Sequence, residues 1–216
     1  MVERPLRPEG ASSQPPYVEK FRPMLDQPLP VVVRPSTEQD VPYMVDIYAY
    51  HVQNGLGDYH PEPLQAEDVK RRRKAMLKRR LPHIVADLNG AIIGYAYAVP
   101  FLKRPAYRYA VKHSIYVRED HRQSGVGRKL LPALIEACAA AGYRQMVCYI
   151  DGSNAPSLSL HESFGFERAG VLKSVAFRFG RWTDTVLLQR PLGEGDASPP
   201  GRLENAAEEA APPKPH

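Results

Sequence analysis

The fold of this chain is decided by the stretch Arg122-Gln123-Ser124-Gly125-Val126-Gly127-Arg128. It follows a strand-like run, residues 113–117, and it opens an apolar segment of helical period that begins at Leu130. A strand, a glycine turn and a helix in this order present backbone amides and the positive end of a helix dipole to a ligand. Glycines two residues apart let an anion approach the backbone closely. The stretch predicts a phosphate-binding loop; the alternative is a tight strand-to-helix connection.

The residues that this loop lacks narrow the choice of phosphate ligand. No Gly-Lys-Ser/Thr ends it, so the lysine and the magnesium-binding hydroxyl of a nucleoside triphosphatase are missing. No third glycine completes the fingerprint of a dinucleotide-binding loop. Neither of the two common nucleotide-binding loops is favoured.

Length and proline content predict one folded domain between two tails. With 216 residues and 43% hydrophobic content, the chain can bury one core but not two. Residues 1–30 and 191–216 hold 13 of the 22 prolines (seven and six) and show no helical or strand period, which indicates disorder. The domain is therefore expected at residues 31–190.

No membrane, metal or nucleic-acid partner is expected. No apolar run approaches the roughly 18 residues that cross a bilayer, and the N-terminus has no apolar signal core, so a cytoplasmic protein is predicted. Cys138 and Cys148 lack metal-ligand spacing and are expected to be reduced core thiols. Much of the net charge of +5 comes from residues 70–80. This basic helix is either a solvated face or a surface that attracts an anionic substrate; it lacks the interleaved aromatics of a nucleic-acid site.

Hydrophobic period and turn residues predict the order β-α-α-β-β-β-α-β-α-β-β. The clearest unit is a hairpin, residues 83–88 and 91–99, around Asn89-Gly90, a pair that favours a two-residue turn. The next strand, 109–117, leads into the glycine loop and its helix, which Gly142 ends. The order predicts an α/β protein with one mixed, twisted sheet and helices on both faces.

The glycine loop and this element order resemble the GCN5-related N-acetyltransferase family, whose loop has the signature Arg/Gln-x-x-Gly-x-Gly/Ala. Local runs are similar to those of its phosphinothricin and methionine-sulfone N-acetyltransferase subfamily over about residues 31–190. The runs that carry the resemblance are Tyr59-x-x-Glu62-Pro63, Gly94-Tyr95-Ala96-Tyr97-Ala98, Pro105-Ala106-Tyr107-Arg108-Tyr109, Ser114-Ile115-Tyr116-Val117, Asn154-x-Pro156-Ser157 and Leu160-His161-Glu162-x-x-Gly165-Phe166.

The resemblance implies the fold of the acyl-CoA N-acyltransferases and acetyl-CoA as co-substrate. An acetyl group would pass directly from the thioester to a neutral substrate amine. It also implies that backbone groups of Ile115, Tyr116 and Val117 hold the pantetheine arm, that the loop from Arg122 to Arg128 holds the pyrophosphate, and that Asn154 grips the pantetheine. A homodimer is expected on the same ground.

Two positions carry the catalytic expectations. His161 stands where much of the family has a tyrosine acid, so it either donates a proton to the thiolate or packs without a chemical role. Lys112 stands where the subfamily commonly has a glutamate base, and a cationic lysine takes no proton. Either a water with another group such as His113 deprotonates the amine, or the substrate differs. Strand alternation predicts Lys112 and Tyr116 on one face of the sheet and His113 on the other.

The acceptor is expected to be an amino acid or an analogue. By resemblance, Arg108 holds a substrate carboxylate, with an exposed strand arginine as the alternative, and Asn54 and Tyr59 line the pocket. Two other functions stay open. One is acetylation of a protein N-terminus or polyamine, and the other is non-catalytic binding of acyl-CoA, which the lysine at position 112 motivates.

Overall fold

One seven-stranded mixed sheet forms the centre of the protein, in the order β1-β2-β3-β4-β5-β7-β6. The structure is a computed structural model that describes residues 30–54 and 63–200. Tyr59, the rest of loop 55–62 and most of both predicted tails lie outside the described residues. The strands are β1 (Val32–Pro35), β2 (His83–Leu88), β3 (Ala91–Pro100), β4 (Ala110–Val117), β5 (Gln145–Asp151), β6 (Glu167–Arg178) and β7 (Arg181–Pro191).

Within the described residues, four α-helices connect these strands and confirm the predicted order of elements. They are α1 (Val41–Gln53), α2 (Ala66–Lys78), α3 (Val126–Ala140) and α4 (Ala155–Ser163). All neighbouring strands are antiparallel except β4 and β5, which run parallel because α3 carries the chain back between them. The predicted mixed α/β fold is therefore confirmed.

Turn chemistry fixes the β2–β3 hairpin where the sequence predicted it. Asn89 and Gly90 have φ angles of 52° and 86°, the positive values that a tight two-residue turn requires. A bulge at Ile93 of β3, opposite Ala86 and Asp87, shifts the register of the pairing between β2 and β3. This hairpin brings β3 beside β4, the strand that ends at the glycine loop.

The sheet separates two apolar clusters. On one face α1 packs its buried residues Met44, Ile47 and Tyr48 against β-strand residues that include Tyr95 and Tyr116. On the other face α3 buries a leucine stripe against the sheet, and α4 adds Leu158; the stripe is Leu130, Leu131 and Leu134. The strands alternate between these faces, so neighbouring residues of β4 meet different helices.

A glycine in β3 allows the start of α3 to lie directly on the sheet. A β-carbon at Gly94 would be 3.0 Å from Cγ1 of Val126 and 3.2 Å from Cδ1 of Leu130. Any larger residue would push the first turn of the helix outward. Gly94 therefore helps to position the loop that precedes α3.

The structure also bears on the cysteines, the C-terminal end of the domain and the character of the helices. Both cysteines are free and buried, as predicted. Leu192, just beyond β7, is 1% exposed and belongs to the larger apolar cluster. None of the helices in the described residues has the length and apolar character needed to cross a membrane.

Candidate active site

The central feature of the site is the gap that opens between β4 and β5. Residues 110–112 of β4 pair with residues 145–147 of β5, and beyond Lys112 and Val147 the two strands are no longer hydrogen-bonded to each other. β4 nevertheless continues to Val117, and its other edge remains paired with β3. Backbone groups along 113–117 on the β5 side therefore lack a strand partner within the described residues. Such an edge can bind an extended ligand by main-chain hydrogen bonds.

The glycine loop lies at the open end of this gap, immediately after β4. Gly125 has a φ of 87° and precedes the first residue of α3, with no side chain capping the helix. No atom lies within 4 Å of the place where its β-carbon would be. The first amides of α3 have no carbonyl of an earlier turn to bond, so they can receive an anion.

The two glycines of the loop are required for different structural reasons. A β-carbon on Gly127 would meet Cδ2 of Leu160 at 2.9 Å, so this glycine lets α3 approach α4. The sequence predicted that both glycines let a ligand approach the backbone closely. Open space beside the α-carbon is present at Gly125 and not at Gly127. Arg122, Gln123, Ser124 and Arg128 have exposed side chains, and the Ser124 hydroxyl donates to the carbonyl of His121 at 2.6 Å.

The end of β4 is held by a histidine that the sequence analysis did not single out. Nε2 of His51 in α1 lies 2.9 Å from the carbonyl oxygen of Val117, to which it donates. The imidazole also meets the ring of Tyr116 edge-on, with centroids 5.3 Å apart. The Val117 carbonyl therefore already accepts one hydrogen bond within the protein. Ile115 is half-buried beside the gap.

Two buried imidazoles meet on the α3–α4 face of the gap. Nε2 of His113 in β4 lies 3.0 Å from Nε2 of His161 in α4. Nδ1 of His161 lies 2.7 Å from the carbonyl oxygen of Ser157, which can only accept, so Nδ1 carries the proton. Nε2 of neutral His161 is then an acceptor, and the proton between the two rings belongs to His113. The ring of Phe166 packs against both imidazoles.

Burial controls the electrostatics of this pair and of the thiol beside it. Burial lowers the pKa of His113 to about 3, and His161 acts in the same direction, whereas the backbone of Val147 opposes the shift. Burial also lowers the pKa of His161, against the effect of its bond to Ser157. Burial raises the pKa of Cys148 to about 12. The side chains of all three residues are therefore neutral in the resting site.

The structure separates the two predicted catalytic residues. Lys112 projects to the face opposite His161, with its ammonium 5.4 Å from the centroid of the Tyr149 ring. The alternation predicted for β4 is confirmed, because His113 packs on α4 and Tyr116 packs on α1. A ligand that enters the gap would therefore have Lys112 on one side and the imidazole pair on the other.

The remaining predicted site residues have local structural partners. Oδ1 of Asn154 accepts from the backbone N–H of Ser157 at 3.2 Å, so this side chain caps α4 at the gap. Nδ2 of Asn54 donates to the carbonyl of Tyr50 at 2.9 Å, at the end of α1. The exposed guanidinium of Arg108 lies 4.8 Å from the ring centroid of Tyr109, at the paired end of β4. Arg108 is thus distant along the strand from the glycine loop.

Known proteins share this architecture. Residues 49–166 match the acetyltransferase (GNAT) family. A phosphinothricin N-acetyltransferase of Alcaligenes faecalis is 43% identical over 169 residues, covering 78% of this chain and 86% of that protein. An L-methionine sulfoximine/L-methionine sulfone acetyltransferase of Pseudomonas paraeruginosa is 34% identical over 168 residues, covering 77% of this chain and 98% of that protein. A GNAT superfamily phosphinothricin acetyltransferase from Sinorhizobium meliloti, solved in complex with acetyl-CoA, aligns with a TM-score of 0.77 and 40% identity over 79% of this chain and 93% of that chain.

The parted mixed sheet and the amide-rich loop, together with these matches, place the chain among the acyltransferases that use a coenzyme A thioester. The chain belongs to the acetyltransferase (GNAT) family. It is an N-acetyltransferase with acetyl-CoA as co-substrate. The predicted family, fold and co-substrate are confirmed.

Proposed function

We propose that this enzyme acetylates the amine of a small amino acid or amino-acid analogue of the phosphinothricin or methionine-sulfone type. The observation that carries the proposal is the gap between β4 and β5, bordered by the glycine loop at one end and by a cation on one face. The names of the relatives from Alcaligenes faecalis and Pseudomonas paraeruginosa support the acceptor class.

We assign the loop Arg122 to Arg128 to the pyrophosphate of acetyl-CoA and the free edge of β4 at Ile115 and Val117 to its pantetheine arm. Tyr116, whose backbone faces β3, stays a predicted contact. The open space at Gly125 and the unpaired edge support this assignment. Asn154 caps α4 through Oδ1, which leaves its amide N–H groups to donate to the arm. Backbone donors along β4 would polarise the thioester carbonyl.

In the reaction, the amine nitrogen attacks the thioester carbonyl carbon, the carbon–sulfur bond breaks, and the amine loses a proton while the thiolate gains one. We assign proton delivery to the pair of His113 and His161, which holds one proton between its two Nε2 atoms. The pair first takes a proton from the ammonium nitrogen that forms on attack, and it then delivers a proton to the departing thiolate. The chain of bonds from His113 through His161 to the Ser157 carbonyl orients both rings for this exchange.

Lys112 is assigned to the acceptor rather than to the proton transfer. An ammonium group has no lone pair to take a proton, but it attracts the carboxylate or phosphinate of an amino-acid analogue. Its place over Tyr149, on the face opposite the imidazole pair, favours an acceptor that approaches from that side. Asn54, Tyr59 and Arg108 stay as predicted acceptor contacts.

The test measures the release of the coenzyme A thiol from acetyl-CoA in the presence of each acceptor. The acceptors are phosphinothricin, methionine sulfone, methionine sulfoximine, a panel of amino acids, and short peptides. Turnover with at least one amino-acid analogue, at a kcat/KM above that of every peptide, is the expected result. If peptides are the better acceptors, the acceptor class proposed here is wrong. If coenzyme binding is detected by calorimetry without turnover of any amine, the chain binds acyl-CoA without catalysis.

We further propose a cytoplasmic homodimer formed through the β6–β7 hairpin. Large apolar side chains line this hairpin, and Phe179 and Trp182 are 67% and 64% exposed. β6 is also an edge strand, which a monomer would leave open to pairing. Two free, buried cysteines fit a reducing compartment. Light scattering of the wild type and of a Phe177→Lys/Trp182→Lys variant tests the dimer: the variant should be monomeric, and a monomeric wild type would contradict the proposal.

A further inference from the structure

Three side chains with metal-binding atoms converge at the point where β4 and β5 part. His113 comes from β4, Cys148 from β5 and His161 from α4, and all three are buried. Their ligand atoms lie within 4.8 Å of one another, with the two imidazole Nε2 atoms 3.0 Å apart. Two imidazoles and one thiolate form a donor set that zinc binds in proteins, with a fourth position open to another ligand.

The surroundings of the cluster already orient one ring as a metal ligand. His161 donates its Nδ1 proton to the Ser157 carbonyl, so the lone pair of Nε2, which accepts from His113 in the metal-free site, is directed at the cluster. Metal-binding histidines are usually held in this way by a backbone carbonyl or a carboxylate. The proton of the other ring can move to Nδ1 of His113, which is buried and makes no hydrogen bond of standard geometry in the described residues, while the backbone of Val147 favours a protonated ring.

We propose that His113, Cys148 and His161 form a site for a thiophilic divalent transition-metal ion such as Zn²⁺, and that the bound ion inhibits acetyl transfer. On binding, the Cys148 thiol loses its proton to solvent and the sulfur bonds to the metal. The proton of His113 moves from Nε2 to Nδ1, so both Nε2 atoms become ligands. Zinc–nitrogen bonds of about 2.0–2.1 Å place two tetrahedral nitrogens about 3.3 Å apart, so the rings need to separate only slightly. The Cys148 sulfur must make the larger movement, toward the two nitrogens.

The position of the cluster explains both access and inhibition. β4 and β5 are no longer paired with each other from residue 113 of β4 and residue 148 of β5 onward. The gap between them therefore leads to the three ligand atoms. The ion would immobilise the imidazole pair that handles the proton, and this inhibitory part of the inference rests on the proposed function. The metal site itself rests only on the geometry.

Metal binding is tested on the full chain after treatment with a chelator and its removal. Co²⁺, a spectroscopic substitute for Zn²⁺, should give a saturable thiolate-to-metal charge-transfer band in the near ultraviolet at one equivalent per chain. Cys148→Ala should abolish the band and weaken Zn²⁺ binding, measured by calorimetry, by at least about tenfold. Cys138→Ala is the matched control, because Cys138 is the other free, buried cysteine, and it should retain the band. His161→Asn, which keeps the Nδ1-like donor to Ser157 but loses the ligand atom, should also weaken binding.

The outcomes separate the two proposals. If Co²⁺ gives no saturable band, or if Cys148→Ala binds Zn²⁺ as tightly as Cys138→Ala does, the metal site is wrong. If the variant at position 148 does not fold, equal Zn²⁺ affinity in wild type and His161→Asn would overturn the site instead. Zn²⁺ should inhibit the wild type reversibly, with activity restored by chelation. A bound metal in an enzyme that acetylates no amine would contradict the proposed function and leave the site intact.

Discussion

Nε2 of His113 lies 3.0 Å from Nε2 of His161, and this contact joins the central strand β4 to helix α4 across the floor of the gap. His161 is fixed in turn by Ser157 in the preceding turn of its own helix. In this arrangement neutral His161 has no free N–H, so it can give up a proton only after the pair has taken one up from the reacting amine. The pair, rather than His161 alone, is the chemical unit of the site.

Replacing His161 by Asn should lower kcat by about 10²- to 10⁴-fold, because proton transfer loses one imidazole. Asparagine places an N–H near the position of Nδ1, so the bond to Ser157 is kept and α4 should remain in place. The dissociation constant for acetyl-CoA, measured by calorimetry, should change little. An unchanged kcat would show that His161 only packs against its neighbours.

The two loop glycines should respond differently to alanine. Gly125 has a φ of 87°, a conformation that costs alanine about 1–2 kcal/mol. The loop of Gly125→Ala should relax in the free enzyme and regain this conformation only on binding, so the dissociation constant for acetyl-CoA should rise about tenfold. In Gly127→Ala, the cost of the close contact with Leu160 is offset by the gain of about 1 kcal/mol in helix propensity. The dissociation constant for acetyl-CoA should therefore change less than about threefold. Calorimetry on both variants checks this. Equal losses in the two would contradict the assignment of Gly125 alone to the ligand.

Reversing the charge at Lys112 should impair acceptor binding and spare the coenzyme. Lys112→Glu should raise the KM of an anionic amino-acid acceptor by about tenfold or more, since a charge-assisted contact contributes about 1.5–3 kcal/mol. Lys112→Met is the matched control for packing, because it keeps an unbranched side chain over Tyr149. Higher activity in Lys112→Glu would instead indicate that a base at this position is what the chain lacks.

Stability should fall as the solution is acidified through the range in which His83 titrates. Burial lowers the pKa of His83 to about 4, and the charge of Arg73 acts in the same direction while Asp40 opposes it. Between pH about 6.5 and 4 the unfolded chain binds a proton at His83 that the native protein does not, so acid favours unfolding. The loss begins near pH 6.5, is complete near pH 4 and amounts to about 3 kcal/mol.

His83→Phe tests this origin, because phenylalanine keeps the stacking on Tyr95 and Tyr97 and carries no titratable nitrogen. Denaturant unfolding of both proteins should be measured from pH 7 to pH 4. The variant should lose markedly less stability than the wild type over this range. Parallel losses would assign the acid sensitivity to other groups.

The sequence by itself determined the order of elements, because local chemistry places them. Asn89-Gly90 requires a turn, the glycine loop requires a strand before it and a helix after it, and Gly142 ends that helix in a left-handed conformation. The two faces of β4 were also readable, since side chains of a strand alternate by geometry. The family was indicated by resemblance, through the glycine-loop signature, the element order and the local runs similar to those of one subfamily.

Only the tertiary structure decided which side chains meet. His113, Cys148 and His161 come from three elements, so no spacing along the chain reveals that they converge. The same is true of His51 on the Val117 carbonyl and of the different reasons for Gly125 and Gly127. Strand pairing and helix packing are long-range interactions, and the distance between two such side chains depends on how the whole sheet twists and parts.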